Sequence, residues 1–255
     1  MITSITVRGL GPLADATIAL RPGEVATVRG RSEAGKTTLL HAVCWALWGV
    51  RADGRPLLPE AIREGCERAE VVVELSSGST IRRTQTRAGS QTRTTQRRGQ
   101  AAVRHASESA LRTALGPLGN PDLRYVLAPG ADPGRGWQAL AAGHGRDLAA
   151  LLARATAASG VLRDLGPVSL RTDDGTAASP AVEVLLDGRP WDLASTGRQI
   201  VGDAAFRSAL RRALRVPWLP IWVDRRQDVG GQIVDVVAPA VMLVTDDGEL
   251  RTEVG

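Results

Sequence analysis

The run Gly30–Thr37, which reads GRSEAGKT, constrains the fold of this chain more than any other feature. Before it, Glu24–Val28 has the apolar, β-branched character of a buried strand. After it, Thr38–Trp48 carries apolar side chains at helical spacing, and Gly49 follows as a helix stop signal. We therefore predict a strand, a glycine-rich loop and a helix in direct succession, as in an α/β fold.

The residue types of this run predict the chemistry of the loop. Its glycines allow the backbone N–H groups to face inward, where they and the positive end of the following helix form an anion cradle. Lys36 is the only lysine of the chain, and every other basic residue apart from histidine is arginine. A compact ammonium group on a phosphate is not replaced by the wide planar fork of arginine. The pattern GxxxxGK[ST] in this context predicts a phosphate loop for ATP or a close relative, against the alternative of a chance glycine-rich turn.

The expected roles within the loop follow from this pattern. Lys36 is expected to reach the β- and γ-phosphates, and the Thr37 hydroxyl is expected to bind Mg²⁺. The predicted nucleotide-binding residues here are Gly30, Arg31, Ser32, Glu33, Ala34, Gly35, Lys36, Thr37 and Thr38.

A second predicted metal ligand lies in the last quarter of the chain. Pro220–Val223 is an apolar strand, and Asp224 follows it directly. A carboxylate in this place holds Mg²⁺ through water in Walker B strands. An ordinary aspartate at a strand end fits the local sequence equally well, but the upstream phosphate loop favours the metal role. Thr37 and Asp224 are thus the predicted metal ligands.

Short strands and helices surround these motifs, separated by glycine and proline turns. Tyr125–Leu127 is read as a short apolar piece in a loop. The other predicted strands are Ile2–Val7, Ala16–Leu20, Glu70–Leu75, Ser79–Thr86, Gln91–Arg97, Val168–Arg171, Val182–Leu186, Leu219–Val223, Ile233–Ala238 and Val241–Thr245, and the other predicted helices are Ser107–Leu115, Asp147–Ala155 and Arg198–Leu214.

The motifs, in this order, resemble the ATPase heads of the SMC, RecF and SbcC group of DNA-repair and chromosome proteins. The stretch ITVRGLGPL, the run GRSEAGKTTLLHAVCWALWG and the segment Leu193–Gln199 (LASTGRQ) carry the resemblance. It implies a P-loop NTPase of α/β class, an ABC-type ATPase head with a mixed sheet and an antiparallel β lobe, and ATP and Mg²⁺ as cofactors. In such heads the signature residues, here Ser195 and Gly197, contact the γ-phosphate held by a second subunit. A homodimer or heterodimer is therefore expected.

The resemblance also implies a division of the chain. We predict a single head over residues 1–255, with an N-terminal lobe at 1–155 that carries the phosphate loop. The C-terminal lobe at 161–255 carries the signature and the Walker B strand. The small, flexible residues 156–160 form a short linker where the relatives have a coiled coil.

Three departures from the family pattern concern hydrolysis. Arg225 stands where the family has the glutamate that polarises the attacking water. Leu127–Gly130 lacks the family's glutamine, and Asp246 stands where a histidine senses the γ-phosphate. The catalytic residue is therefore unknown, with Asp228 as a displaced candidate. We expect an ATP-binding head that hydrolyses slowly or needs a partner subunit.

An arginine-rich stretch is the candidate nucleic-acid surface. Between Leu75 and Ser107 there are seven arginines and no acidic residue. They could follow a phosphate backbone through nonspecific, salt-sensitive contacts, or they could be a solvated surface in an arginine-rich chain. The predicted DNA contacts are Arg82, Arg83, Arg87, Arg93, Arg97 and Arg98.

The remaining expectations concern partners and location. DNA and a nuclease are the expected partners, and a non-catalytic dimerisation switch is the main alternative function. A transporter ATPase subunit is disfavoured because such subunits stack adenine on an aromatic residue before the loop, and the first aromatic residue here is Trp45. The chain shows no membrane-spanning run and no signal peptide, so we expect a cytoplasmic protein without membrane contacts. Cys44 lies in an apolar helical run and is predicted to be a buried, inert thiol.

Overall fold

The computed structural model describes residues 1–21, 23–128, 168–172, 182–190, 193–216, 218–223, 240–245 and 248–254. The chain forms two compact units, one built from Met1–Arg124 with Pro239–Gly255 and the other from Tyr125–Ala238. The linker predicted at 156–160 lies outside the described residues, so the lobe boundaries drawn from the sequence stay a prediction.

The N-terminal part of the first unit is dominated by strands. Strand pairing is antiparallel throughout a six-stranded sheet in the order β2-β1-β4-β5-β6-β7. Strand β3 belongs to another sheet. The strands are β1 (Ile2–Leu10), β2 (Leu13–Ala19), β3 (Val25–Gly30), β4 (Arg68–Leu75), β5 (Thr80–Thr86), β6 (Gln91–Gln96) and β7 (Val103–Arg104). The strands predicted between residues 2 and 97 are thereby confirmed, with ends that differ by at most three residues.

Helix α1 (Lys36–Trp48) packs against β1, β4 and β5 of this sheet. Ten of its residues are buried, so it is enclosed on most sides instead of having one apolar stripe. Trp45 and Trp48 are fully buried, and the indole N–H of Trp48 donates to the Leu118 carbonyl at 2.9 Å. Cys44 is buried in the same helix, as predicted, and burial raises the pKa of its thiol.

Two shorter helices follow the sheet. Helix α2 (Glu108–Leu115) begins after Ser107, whose hydroxyl accepts a hydrogen bond from the Ala110 N–H at 3.2 Å. This is a side-chain N-cap, which satisfies one of the free donors of the first turn. Helix α3 (Leu123–Leu127) includes the segment Tyr125–Leu127, which was read from the sequence as part of a loop. The prediction of a loop was wrong. A helix of about one turn is too short for the spacing of its apolar residues to indicate a helix.

The second unit contains a hairpin sheet and a long helix. Its elements are β8 (Val168–Thr172), β9 (Val182–Leu186), β10 (Arg189–Pro190), α4 (Thr196–Ala213) and β11 (Ile221–Val223). The turn predicted at Asp187-Gly188 joins β9 to β10. Arg207 on α4 is buried, and its guanidinium binds Asp203 and the Leu127 carbonyl. The predicted helix Asp147–Ala155 and the predicted strand Ile233–Ala238 lie outside the described residues.

The strand that carries the glycine-rich loop has two neighbours from the C-terminal end of the chain. Strand β12 (Ala240–Thr245) pairs with β3 in parallel, and strand β13 (Arg251–Val254) pairs with β3 in antiparallel register. This mixed sheet is the one that the family resemblance implied. In the part of the chain that the structure describes, none of the helices is long and apolar enough to cross a membrane.

Candidate functional site

The loop between β3 and α1 is shaped by close contacts at its two glycines. Gly35 has φ 101°, and a Cβ atom there would lie 2.5 Å from Leu13 Cδ2. A Cβ atom on Gly30 would lie 3.1 Å from the Cα atom of Leu250 and 3.2 Å from the Cβ atom of Ala34. Side chains at either position would push the loop out of this conformation. The pattern of glycines in the sequence therefore reflects how tightly the loop is enclosed.

The Lys36 side chain is turned into this loop. Its amine donates to the Gly30 carbonyl at 2.7 Å and to the Arg31 carbonyl at 2.8 Å. Only 8% of the residue is exposed. The ammonium group thus places a full positive charge against the loop backbone, where an anion in the loop would meet it. An ordinary surface lysine would instead extend its charge into water.

The N-terminus of α1 adds further positive potential at the loop. Its N-cap, Gly35, has no side chain to cap the helix, and the first turn contains no acidic residue. The first intrahelical bond runs from the Leu39 N–H to the Gly35 carbonyl at 3.0 Å. The N–H groups of Lys36, Thr37 and Thr38 therefore have no intrahelical acceptor. Such a helix end attracts anions, and phosphates in particular.

The side chains of the predicted phosphate loop are mostly accessible. Arg31, Ser32, Glu33 and Thr37 are exposed, and Thr38 is half-buried. Glu33 has φ 66°, the one non-glycine residue of the loop in the left-handed region. Its carboxylate is the only negative side chain of the loop. The predicted anion cradle would consequently consist of backbone N–H groups and Lys36, with Thr37 at its accessible edge.

The signature segment lies at the start of a helix, as predicted. Ser195 directly precedes α4, and its carbonyl accepts from the Gln199 N–H at 2.9 Å. The Ser195 hydroxyl lies 3.5 Å from the Arg198 N–H, which makes it the N-cap. Gly197 lies in the first turn, and Leu193 is 73% exposed. A serine hydroxyl is thus present at an accessible helix N-terminus.

Apart from Thr37, the residues expected to bind the metal and to govern hydrolysis lie outside the described residues. Ile221–Val223 forms the predicted buried strand, and all of its residues are buried. Asp224, Arg225, Asp228 and Asp246 lie outside the described residues. Among the residues that are described, no cluster of three or more His, Cys, Asp or Glu side chains could hold a metal ion.

The arginine-rich hairpin is only partly available to a ligand, and the prediction for Arg83 was wrong. Arg83 is fully buried, and its guanidinium forms a bidentate ion pair with Glu108. Arg93 is 18% exposed and pairs with the same carboxylate at 2.5 Å. Arg87 donates to the carbonyls of Cys66 and Arg63, both at 2.8 Å. Guanidinium groups held in a shielded ion pair, as those of Arg83 and Arg93 are, serve the fold instead of a phosphate backbone.

Four of the predicted arginines are exposed on the hairpin, and Arg87 is one of them. The side chain of Arg82 is 53% exposed and pairs with Glu70 at 3.2 Å. Arg97 and Arg98 are exposed at the turn after β6. Arg82 and Arg83 point to opposite faces because successive side chains alternate across a strand, and this signal was already present in the sequence. The residues that enclose the loop, such as Leu13 and Leu250, were missed because no local motif marks them.

Comparisons with known proteins give one sequence family and several similar folds. Residues 4–114 match the family model described as AAA domain. No curated protein matches the chain. A crystal structure of an SMC head bound to the C-winged helix domain of ScpA matches with a TM-score of 0.65 and 16% identity, covering 96% of this chain and 89% of that chain.

Two further solved structures have the same fold. An SMC head with an extended coiled coil, bound to the C-terminal domain of ScpA derived from Pyrococcus furiosus, matches with a TM-score of 0.60 and 13% identity, covering 96% of this chain and 89% of that one. The recombination mediator protein RecF with ATP matches with a TM-score of 0.55 and 12% identity, covering 99% and 93%. The chain therefore has the same α/β fold as the SMC heads and RecF.

Proposed function

We propose that this protein binds Mg-ATP in the loop Gly30–Thr37 and dimerises around it, acting with DNA or with a nuclease or another DNA-processing partner. The observation that carries the proposal is the enclosed Lys36 amine, 2.7 Å from the Gly30 carbonyl, beside an uncapped helix N-terminus. Backbone donors, a helix end and an ammonium group together match the charge and shape of a triphosphate.

The metal would be held by two oxygen ligands of the chain. Thr37, exposed at the start of α1, would supply its hydroxyl, and Asp224 would supply a carboxylate. When bound, Mg²⁺ neutralises charge on the β- and γ-phosphate oxygens. Hydroxyl and carboxylate oxygens are the hard ligands that this ion prefers.

Dimerisation would use the signature segment of a second copy or of a related subunit. Ser195 caps an accessible helix N-terminus, and Gly197 lies in the first turn of that helix. In this proposal both residues contact the γ-phosphate in trans. The neighbouring structures of RecF with ATP support nucleotide binding by this fold, and the complexes of SMC heads with ScpA support partner binding by it.

Hydrolysis is proposed to be slow or dependent on a partner. Arg225 occupies the position after Asp224, where a glutamate would orient the attacking water. Loss of a general base lowers a rate by roughly 10²- to 10⁴-fold. The same observation favours the second candidate function, a non-catalytic switch or assembly protein that uses ATP only to dimerise.

DNA contact, if it uses the hairpin, would rest on its exposed arginines, which are Arg82, Arg87, Arg97 and Arg98. Such contacts would be nonspecific, because contacts between guanidinium groups and phosphate oxygens carry no sequence information. Their affinity would fall steeply with salt through counterion release.

The test measures dimerisation and turnover in the same samples. Light scattering with and without Mg-ATP gives the mass, and a phosphate-release assay with and without DNA gives the rate. We expect ATP-dependent dimers and little turnover in the pure chain. Lys36→Ala should abolish nucleotide binding, whereas Arg55→Ala, which removes one exposed positive charge elsewhere, should not.

The outcomes separate the candidates. Dimers without turnover, even with DNA, select the non-catalytic switch, and DNA-stimulated turnover selects the DNA-processing ATPase. Rapid steady-state hydrolysis by the pure chain that Lys36→Ala abolishes would contradict slow hydrolysis. Equal ATP affinity of Lys36→Ala and the unchanged chain would contradict the proposed site.

A further inference from the structure

The start of the phosphate loop is bonded to a segment from the other end of the chain. The Arg31 N–H donates to the Gly248 carbonyl at 2.9 Å. Arg31 is the first residue after β3, so this bond fixes the point where the chain leaves the sheet. Because this bond occupies the Arg31 N–H, an anion in the loop would have to bind N–H groups that lie nearer to α1.

The next contact in this region is between two stretches of backbone. A Cβ atom on Gly30 would lie 3.1 Å from the Leu250 Cα atom and 3.3 Å from its N atom. A flexible side chain could move away from such a contact, but a backbone in a strand connection cannot do so cheaply. The C-terminal segment therefore limits the positions that Gly30 can take.

An ion pair holds the same segment to β3. Arg29 Nε donates to Glu253 Oε2 at 2.9 Å, with side chains 31% and 52% exposed. Arg251 lies directly opposite Arg29 in the antiparallel register, and its Nε atom is 3.5 Å from the other oxygen of Glu253. Glu253 thus lies between two guanidinium groups that would otherwise face each other and repel.

We propose that the segment Gly248–Glu253, the C-terminal brace, positions the phosphate loop for its nucleotide. On one side of β3, Thr245 pairs with Gly30, and on the other side the brace contacts Gly30 and Arg31. The loop is thereby held at its start from both edges of the strand. Holding a binding loop in its bound shape raises affinity by lowering the entropy lost on binding. The inference rests on the proposed function, because the loop is positioned for a triphosphate.

Charge reversals at the ion pair test the brace without changing the loop itself. Glu253→Arg places three guanidinium groups together, whereas Arg29→Glu leaves two carboxylates to share Arg251. The double variant restores an opposite pair at positions 29 and 253 with no net change in charge. The dissociation constant of Mg-ATP is measured by calorimetry for all four proteins, at a temperature where circular dichroism shows each to be folded. Glu64→Arg is the control, since it makes the same charge change as Glu253→Arg at an exposed residue outside the brace and should leave the dissociation constant unchanged.

The brace predicts that Glu253→Arg weakens Mg-ATP binding by about three- to fivefold, as expected for a partly exposed charge pair, and that the double variant recovers it. Arg29→Glu should weaken binding less, because Arg251 can pair with both carboxylates. A purely long-range effect of charge on the phosphates would instead weaken binding in Arg29→Glu and strengthen it in Glu253→Arg. That pattern, or unchanged affinity in both, would overturn the inference. Absence of ATP binding by the unchanged chain would refute the proposed function itself.

Amide hydrogen exchange provides a readout that needs no nucleotide. The Arg31 N–H should exchange slowly in the unchanged chain and about tenfold faster in Glu253→Arg, because its acceptor at Gly248 moves with the brace. Recovery of slow exchange in the double variant supports the brace. Equal exchange of the Arg31 N–H in all four proteins would overturn it.

Discussion

The Arg83 guanidinium and the Glu108 carboxylate form a bidentate ion pair between β5 and the first turn of α2. Arg83 is fully buried, and its guanidinium also lies 5.5 Å from the ring centroid of Trp45 on α1. Arg93 shares the carboxylate. One carboxylate therefore pairs with two guanidinium groups. Three elements meet at this ion pair, namely β5, α1 and α2.

Removal of this carboxylate should destabilise the protein strongly. Glu108→Ala leaves the buried Arg83 charge without a partner, and breaking such a pair costs about 3 to 5 kcal/mol in the free energy of unfolding. Urea unfolding followed by circular dichroism measures this change. Glu64→Ala, at an exposed acidic residue, should change the free energy of unfolding by less than about 0.5 kcal/mol. Equal free energies of unfolding for Glu108→Ala and Glu64→Ala would show that the buried Arg83 does not need the Glu108 carboxylate.

The same pair should make stability depend on pH in the acid range. Burial alone would raise the pKa of Glu108, but the hydrogen bonds and charges of Arg83 and Arg93 outweigh it and lower the pKa from 4.5 to about 2. The pair therefore contributes its full stabilisation above the unfolded pKa and loses it as pH falls toward 2.

Glu108→Gln removes this titration. The difference in the free energy of unfolding between the unchanged chain and Glu108→Gln should be constant above pH 6 and should shrink steadily from pH 5 to pH 3. Urea unfolding at each pH gives both values in one buffer series. A difference that stays constant down to pH 3 would contradict the lowered pKa.

Enclosure of the loop predicts a contrast between two glycines. Gly35→Ala introduces a Cβ atom 2.5 Å from Leu13 Cδ2, whereas a Cβ atom on Gly65 meets nothing within 4 Å. Both residues have positive φ, so each alanine costs about 1 to 2 kcal/mol in backbone strain. Only Gly35→Ala should also lose Mg-ATP binding, measured by calorimetry. Normal binding by Gly35→Ala would mean that the loop tolerates displacement at this point.

Substitutions of Ser195 should separate its role as a helix cap from its proposed role at the γ-phosphate. Ser195→Ala removes the cap and should lower the free energy of unfolding by about 1 kcal/mol. Ser195→Asp keeps a capping oxygen and should be as stable as the unchanged chain, but its charge would repel a phosphate. Light scattering with Mg-ATP should therefore show dimers of the unchanged chain and monomers of Ser195→Asp. ATP-dependent dimers of Ser195→Asp would argue against a phosphate contact.

The elements predicted correctly are those whose signals are local. Strand β3, the glycine-rich loop and α1 follow one another within 25 residues, and turn residues, apolar spacing and the single lysine identify all three. The polar hairpin β5–β6 was also recognisable, because its strands are adjacent and share one turn. Elements whose signals lie close together in the sequence can be predicted without knowing which elements they pack against.

The features that were missed depend on partners far away in sequence. Arg83 resembles its exposed neighbour Arg82, and only Glu108, 25 residues further on, determines that it is buried. Strand β13 reads as a short polar stretch, RTEV, and becomes a strand because β3 offers it an unpaired edge. Local propensity could not predict either outcome, since the stabilising contact comes from tertiary structure.

The position of β3 has a consequence for how the protein is made. This strand appears within the first thirty residues, yet both of its neighbours come after residue 239, and its bond from Arg29 reaches Glu253, 224 positions later. During translation, β3 therefore emerges from the ribosome with two unpaired edges long before β12 and β13 are available to pair with them. Contacts this distant slow folding and expose strand edges to wrong pairing. We therefore expect correct folding to improve when the nascent N-terminal segment is shielded until β13 has been translated.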